Sequence, residues 1–399
     1  MKHTWIVPVL AFTACADGGE EDRPQSEVTV NATHHMFALR SLAGFGTFPP
    51  PTSAVITESG LFNLFDDSSY TVTRSGSTSG SDRYAIEEDG VMTIFVSGSA
   101  TEPSTAFLGG YSLVGDQPDY FFTDRVSTPA SQRIGMFYGT RVVSGQVELE
   151  GGWHVLSLHV IFDQAILSPD NVGRGAYGGV SIAAGDPGTS RGVSGTGFQG
   201  TGALTFGGSI QNLLDAPGVG DGLLNFSLSY ALPGQTADER IIESAASENV
   251  VFGVDKNNGD GEAGFVTMIR KFDAPAAPVD SVLVPGTFLV GGHTLFINPS
   301  NPGSDTFVGT VTLSAVTGTE GGFRLDAVGN TGADFQYIGT YELAPDGGMT
   351  IDIQGTNEIW FAAIDRTYDT FSFIDDFEEV RANNTPELNF GFGVRKKDV

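Results

Sequence analysis

Cysteine is nearly missing from this chain: one residue, Cys15, in 399. A lone cysteine builds neither a disulfide framework nor a thiolate zinc site. Positive charge is scarce as well, with 20 Lys and Arg against 48 Asp and Glu and a formal net charge of −28. Such a field repels nucleic acid and anionic headgroups, so neither is expected as a partner of the folded surface. Histidines number six, and their spacing matches no zinc site. His154 and His159 stand five apart, which puts them on opposite faces of a strand. No apolar run approaches the ~20 residues of a membrane-spanning helix. Long amphipathic helices are lacking too. The best helical candidate is Ala237-Asp238-Glu239-Arg240-Ile241-Ile242-Glu243-Ser244-Ala245-Ala246. A nucleophile elbow is also missing, since Gly179-Val180-Ser181-Ile182-Ala183 lacks the second glycine.

What is present is glycine, 54 residues of it, with 40% hydrophobic and only 17% charged residues. That balance suits many short strands joined by tight turns. The chain also repeats itself. An Asp-Gly turn followed by an apolar run occurs at Asp89-Gly90, Asp221-Gly222 and Asp346-Gly347. A basic residue closes a later apolar run at Arg141, Arg270 and Arg395. Both features recur at intervals of about 125–130 residues, the mark of one structural unit used three times. Around the turns the pattern is that of hairpins, as in Tyr341-Glu342-Leu343-Ala344 and Met349-Thr350-Ile351-Asp352-Ile353. In the middle copy the preceding strand is less clear. Strands ending on an aspartate (Asp124, Asp255, Asp375) follow, each placed to cap its own loop. Gly145–His154 matches Gly286–His293 with two residues dropped.

These signals divide the chain into a signal and anchor segment (1–15), an acidic tether (16–27), β units at 28–142, 143–272 and 281–397, and a Pro/Ala linker (273–280). The expected fold is all-β: three tandem antiparallel units of seven to eight strands, each a small up-and-down barrel, because closure disposes of sheet edges. A single β-propeller with two blades per repeat is the rival. The Pro-Ala linker favours barrels that are independent of one another.

The run Gly339-Thr340-Tyr341, Asp346-Gly347 and Gly393-Val394-Arg395-Lys396 resembles tandem β-repeats of bacterial secreted and lipoprotein sequences. Asp255–Asp260 with Met268-Ile269-Arg270-Lys271 matches the same pattern. The resemblance covers most of residues 28–397 and brings no activity with it. In outline the units are also similar to lipocalin-like or avidin-like barrels, which by itself assigns no ligand. The first residues, Met1-Lys2-His3-Thr4 and the apolar Trp5–Phe12, have a signal-peptide layout. Phe12-Thr13-Ala14-Cys15 resembles a bacterial lipoprotein signal, which implies lipidation of Cys15 and a stable membrane anchor. Ala16 after the cysteine leans towards the outer membrane or cell surface, against the alternative of a periplasmic or secreted protein.

For chemistry, no catalytic residue is singled out. The run after Val254 offers Asp255, Asn257, Asp260 and Glu262 as hard oxygen ligands for calcium. Gly259 breaks the usual ligand order there, and a polar hairpin loop competes with that reading. The aromatics read as core. The expected function is an exported, lipid-anchored protein with a non-catalytic structural, adhesive or ligand-binding role, for which a small ligand or a glycan is a candidate. The alternative is a secreted carboxylate-based polysaccharide hydrolase.

Overall fold

The computed structural model describes residues 26–42, 55–74, 77–96, 105–113, 119–123, 133–161, 173–186, 188–199, 202–215, 219–255, 262–296, 303–315, 320–330, 332–356, 358–375 and 387–398. Cys15 lies outside them. Among the described residues, twenty-four strands close into three antiparallel barrels of eight, each with neighbours in chain order, so the propeller is not formed. Barrel 1 contains β1 (Ala32–Leu42), β2 (Val55–Leu64), β3 (Ser69–Arg74), β4 (Ser77–Ile86), β5 (Val91–Val96), β6 (Thr105–Tyr111), β7 (Asp119–Thr123) and β8 (Arg133–Thr140). Barrel 2 contains β9 (Gly151–Ile161), β10 (Gly173–Ile182), β11 (Arg191–Gln199), β12 (Gly202–Asp215), β13 (Val219–Ala231), β14 (Asp238–Ala246), β15 (Val250–Asp255) and β16 (Glu262–Arg270). Barrel 3 contains β17 (Gly286–Phe296), β18 (Gly303–Leu313), β19 (Glu320–Gly329), β20 (Asp334–Leu343), β21 (Gly348–Ile353), β22 (Ile359–Ile364), β23 (Thr370–Asp375) and β24 (Glu387–Arg395).

The helical candidate is corrected here: Asp238–Ala246 is strand β14. Arg240, Ile242 and Ser244 turn inward while Glu239 and Ile241 face solvent, a period of two that overrides the helix propensity of Ala and Glu. The Gly145–Gly286 match shifts as well. Closing-strand partners set the true alignment: Arg270 pairs with Trp153, Arg395 with Phe288 and Arg141 with His34. Gly151, not Gly145, therefore corresponds to Gly286.

Each barrel has one plugged end. In barrel 2 the lead-in residues Val147 and Leu149 join the interior core. Trp153 Nε1 donates to Leu149 O at 2.9 Å, and the Arg270 guanidinium lies 4.7 Å from the Trp153 ring centroid. Arg270 also donates to the carbonyls of Glu148 and Glu150. Barrel 3 repeats the device. Val284 enters the core, and Arg395 lies 4.7 Å from the Phe288 centroid while donating to the carbonyls of Leu283, Pro285 and Tyr368. In barrel 1 Val28 and Val30 take the plug position, and His34 sits edge-on to Tyr111 and Tyr120. Each clamp satisfies backbone carbonyls that entry into the barrel would otherwise strand.

The barrels are not independent. A fourth core lies between them, built from outward-facing residues of the first strand and the last two strands of each unit, such as Phe37 and Tyr138, Leu158 and Phe252, Leu388 and Phe392. Contacts run cyclically. His35 of barrel 1 bonds the carbonyl of Asp221 in barrel 2 at 2.8 Å. The equivalent His154 of barrel 2 bonds the carbonyl of Asp346 in barrel 3 at 3.0 Å. The equivalent Leu289 of barrel 3 packs beside Gly90 of barrel 1. Lys271 reaches Asp346 at 2.9 Å, and its counterpart Lys396 reaches Asp89 at 2.9 Å. Each unit thus docks on the Asp-Gly turn of the next, and the third docks on the first. A head-to-tail contact that closes makes a ring. Here the ring is drawn within one chain, with a pseudo-threefold arrangement.

Candidate functional site

Plugged ends meet plugged ends in this ring, as His35 and Asp221 show. Open ends meet open ends: Thr57 Oγ1 donates to Asp255 O at 2.8 Å, and Ser41 bonds Ser304. The three barrels therefore run the same way and open on one face. The chain enters on the other face, because Ser26 bonds Ile86 at the plugged end of barrel 1.

Polar and charged side chains collect inside each open end. The interior position six residues past the aromatic or His of the plug is Arg40 in barrel 1, His159 in barrel 2 and Thr294 in barrel 3. In barrel 1, Arg40 and Arg74 flank Glu58 at 3.4 and 3.1 Å. The Arg74 guanidinium is held below its usual range, chiefly by burial, while Glu58 opposes the shift.

Barrel 2 has a small recess lined by His159, Arg174, Gln199, Tyr230, Asp238 and Arg240. Arg240 lies 2.6 Å from Asp238 and 3.6 Å from the fully buried Asp255. Arg174 reaches Asp238 at 3.6 Å. His159 Nε2 lies 3.2 Å from Tyr230 Oη, and its Nδ1 lies 3.8 Å from Asp255. Burial, reinforced by Arg240 and Arg174, lowers the His159 imidazole to about 3, so it is neutral at neutral pH. The Asp255 carboxylate, read from sequence as a loop cap and calcium ligand, thus turns into the barrel towards a guanidinium. Asn257 and Asp260, and the side chain of Glu262, lie outside the described residues. Among the described residues no group of three or more His, Cys, Asp or Glu is disposed to hold a metal ion.

Barrel 3 differs in sign. Asp375 Oδ2 accepts from Asn389 Nδ2 at 2.8 Å, and Asn389 Oδ1 accepts from Thr294 at 2.6 Å. Tyr337 donates to Glu387 at 2.9 Å, and Glu358 is nearly buried nearby. Burial drives the Asp375 carboxyl far above the carboxylate range; the Asn389 bonds oppose this, and Glu387 and Glu358 add to it.

Sequence reasoning singled out Asp255 and Asp375 as strand-ending aspartates, with Asp124 outside the described residues, and it placed His154 and His159 on opposite faces of one strand. It missed Arg240, Arg174 and Glu358. The signal for Arg240 was the alternation of β14, hidden by the helical reading. The hydrolase alternative gains no support, because the carboxylates sit inside filled barrels and not across an open cleft.

No family model and no curated protein matches the chain. Several solved structures do. A double mutant of the vaccine antigen Transferrin Binding Protein B from Haemophilus parasuis Hp5 is 10% identical over 93% of this chain and 77% of its own, with a TM-score of 0.27. Intact Ap-TbpB, with its N and C lobes, is 10% identical over 94% of this chain and 80% of its own, with a TM-score of 0.26. A DUF3598-family protein from Nostoc punctiforme PCC 73102 is 11% identical over 62% of this chain and 96% of its own, with a TM-score of 0.23. At such low identities and scores, the architecture rests on this chain's own strand pairing.

Proposed function

We infer that the chain is an exported, lipid-anchored protein that binds and does not catalyse, presenting the mouths of three barrels from one body. The observation that carries this is the opposition of its two faces. The N-terminal tether joins at the plugged ends, so an anchor at Cys15 would turn all three mouths away from the membrane. Barrel interiors packed with side chains leave recognition to the polar mouths and the surfaces around them. Attachment follows from the lipoprotein-like Phe12-Thr13-Ala14-Cys15, with the outer membrane or cell surface as the destination. Two measurements test this. Cys15→Ser should move the protein from the membrane to the soluble fraction; unchanged fractionation removes the anchor. Gln235→Cys, exposed at the open end between β13 and β14, should react with an impermeant maleimide on intact cells. If Gln235→Cys stays unlabelled while Glu27→Cys, at the plugged end, reacts, the orientation is wrong.

A further inference from the structure

Three aromatic rings stack in a row across the outer seam between barrels 2 and 3. Phe361 of β22 lies against Tyr177 of β10 with centroids 3.4 Å apart, and Tyr177 stacks on Phe198 of β11 at 5.7 Å. Phe198 ends the row and is 45% exposed. Its cross-strand neighbour on the other side is Ala203 of β12, a side chain too short to cover the ring. The ring therefore stands as a wall beside a low floor, supported from behind by the rings it stacks on.

That floor has a composition of its own. Outward positions alternate from Gly192 to Phe198 on β11, from Ala203 to Gln211 on β12 and from Leu223 to Ala231 on β13. They carry Gly, Ala, Ser, Thr, Asn, Gln, one Leu and Phe198, and no charged residue. The corresponding strands of barrel 3, β19 to β21, face outward with Glu320, Arg324, Asp326, Glu342 and Asp352. Charge returns on β14, where Glu239 and Glu243 pair with Ser229 and Asn225. In a chain of net charge −28 this is an uncharged window, roughly 10 Å by 20 Å. Thr196 and Thr205, paired across β11 and β12, stand exposed in it two residues along from Phe198 and Ala203.

An exposed aromatic face beside fixed hydroxyls, free of charge, matches the chemistry of a sugar. A sugar ring has an apolar C–H face that lies on an aromatic ring, and rim hydroxyls that exchange hydrogen bonds with Ser, Thr and Asn. A neutral glycan brings no charge that this window would leave unpaired. Polyanions and a second copy of the chain are repelled by the surrounding field.

We propose that this flank of barrel 2 binds a neutral polysaccharide, with one sugar ring stacked on Phe198 above Ala203 and its hydroxyls bonded to Thr196 and Thr205. The proposal rests on the reading of the chain as a binding protein, gives that role a site and a ligand class, and needs neither the anchor nor the orientation of the mouths.

Pull-down of the full chain on cellulose, chitin and curdlan tests it, with alginate beads as an anionic counterpart. The expected result is retention on at least one neutral polymer and none on alginate, unchanged in about 0.5 M NaCl, where attraction between charges is screened. Phe198→Ala should weaken retention by about tenfold or more, Thr205→Glu should do the same by placing a charge in the window, and Phe198→Trp should keep it. No retention on any of the three neutral polymers overturns the proposal. So does retention that both Phe198→Ala and Thr205→Glu leave unchanged. Light scattering supplies a rival outcome: a dimer of the full chain that Phe198→Ala dissolves would make this face a self-contact and overturn the proposal too. Should Phe198→Ala melt early, the solvent-facing Thr205→Glu still decides. Labelling of Gln235→Cys involves no glycan, so failure of the ligand class and failure of the display reading remain distinguishable.

Discussion

Arg270 shows how one side chain can close a barrel. Its aliphatic stem and guanidinium cover Trp153 while its N–H groups satisfy carbonyls of the lead-in strand. Burial pulls its pKa below the usual value, yet a guanidinium keeps its charge. Arg270→Ala removes the stacking and leaves buried carbonyls without donors, at a cost of about 2–4 kcal/mol. Arg270→Lys should recover part of that. Urea denaturation measures both, and an Arg270→Ala protein as stable as wild type would show the clamp to be idle. Asp119 sets a second expectation at this scale. It is buried between barrels 1 and 3 and accepts from Thr370 at 3.1 Å. Burial raises its carboxyl from 3.8 to about 7, against the Thr140 and Thr370 bonds and with repulsion from Asp365 and Asp369. The native state keeps this proton between those two values and the unfolded chain does not. Stability from this group is therefore lost as pH rises from about 4 to 7. The buried His34, His159 and His293 act oppositely: lowered from 6.5 to about 3, they cost stability as pH falls below 6.5. Asp119→Asn should be more stable than wild type above pH 7, by on the order of 2 kcal/mol, with the gain fading towards about pH 4. Parallel pH–stability curves for the two proteins would contradict the assignment.

At the level of elements, the Asp-Gly turns were the most legible feature of the chain. All three glycines adopt nearly the same left-handed backbone, with φ of 94, 91 and 90° at Gly90, Gly222 and Gly347. Each aspartate accepts from the backbone N–H two residues on, at 3.1, 3.0 and 3.3 Å. In the middle copy the turn is buried in a longer hairpin: Asp221 lies inside β13, next to a register shift against β12. That explains why the strand before it was hard to see. Sequence could not show what the turns are for. Gly347 docks the preceding barrel's tail, and a Cβ there would meet a Phe272 ring carbon at 2.7 Å and Ile364 O at 3.0 Å. Gly355 has φ of 87° and open surroundings. Gly355→Ala should therefore cost only the conformational penalty of about 1 kcal/mol, and Gly347→Ala about 2–3 kcal/mol. Equal losses in chemical denaturation would mean that the docking contact contributes nothing. The misread β14 teaches the converse lesson. A short Ala- and Glu-rich segment carries helix propensity, but Arg240 and Ile242 alternate with Glu239 and Ile241, and burial of one face decided its form.

For the whole molecule, the repeat was legible and the ring was not, although a trace of it was present. Most exposed strands alternate, as β20 does along Asp334–Leu343. The first strand and the last two of a unit do not: β17 is buried almost throughout, and so are β15 and β24. A run that is apolar on both faces marks a strand covered on both sides, and such runs in all three units point to a common centre. The Pro/Ala composition of residues 273–280 predicts a separator. The segment is instead fastened, with Ala277 N on Asp273 O and Val279 N on Pro345 O. The central core then dictates how the molecule unfolds. Phe252 of barrel 2 lies 5.0 Å from Tyr138 of barrel 1 and 4.7 Å from Phe392 of barrel 3. No barrel can melt without exposing the outward apolar strands of its two neighbours, so the three should unfold together. Calorimetry should give one transition, with calorimetric and van't Hoff enthalpies in near agreement. Phe252→Ala should cost about 3–5 kcal/mol, and it should broaden or split that transition because it weakens the coupling as well as one fold. Three separable transitions in the wild-type protein would dissolve the ring into beads on a string, and with it the shared orientation of the three mouths.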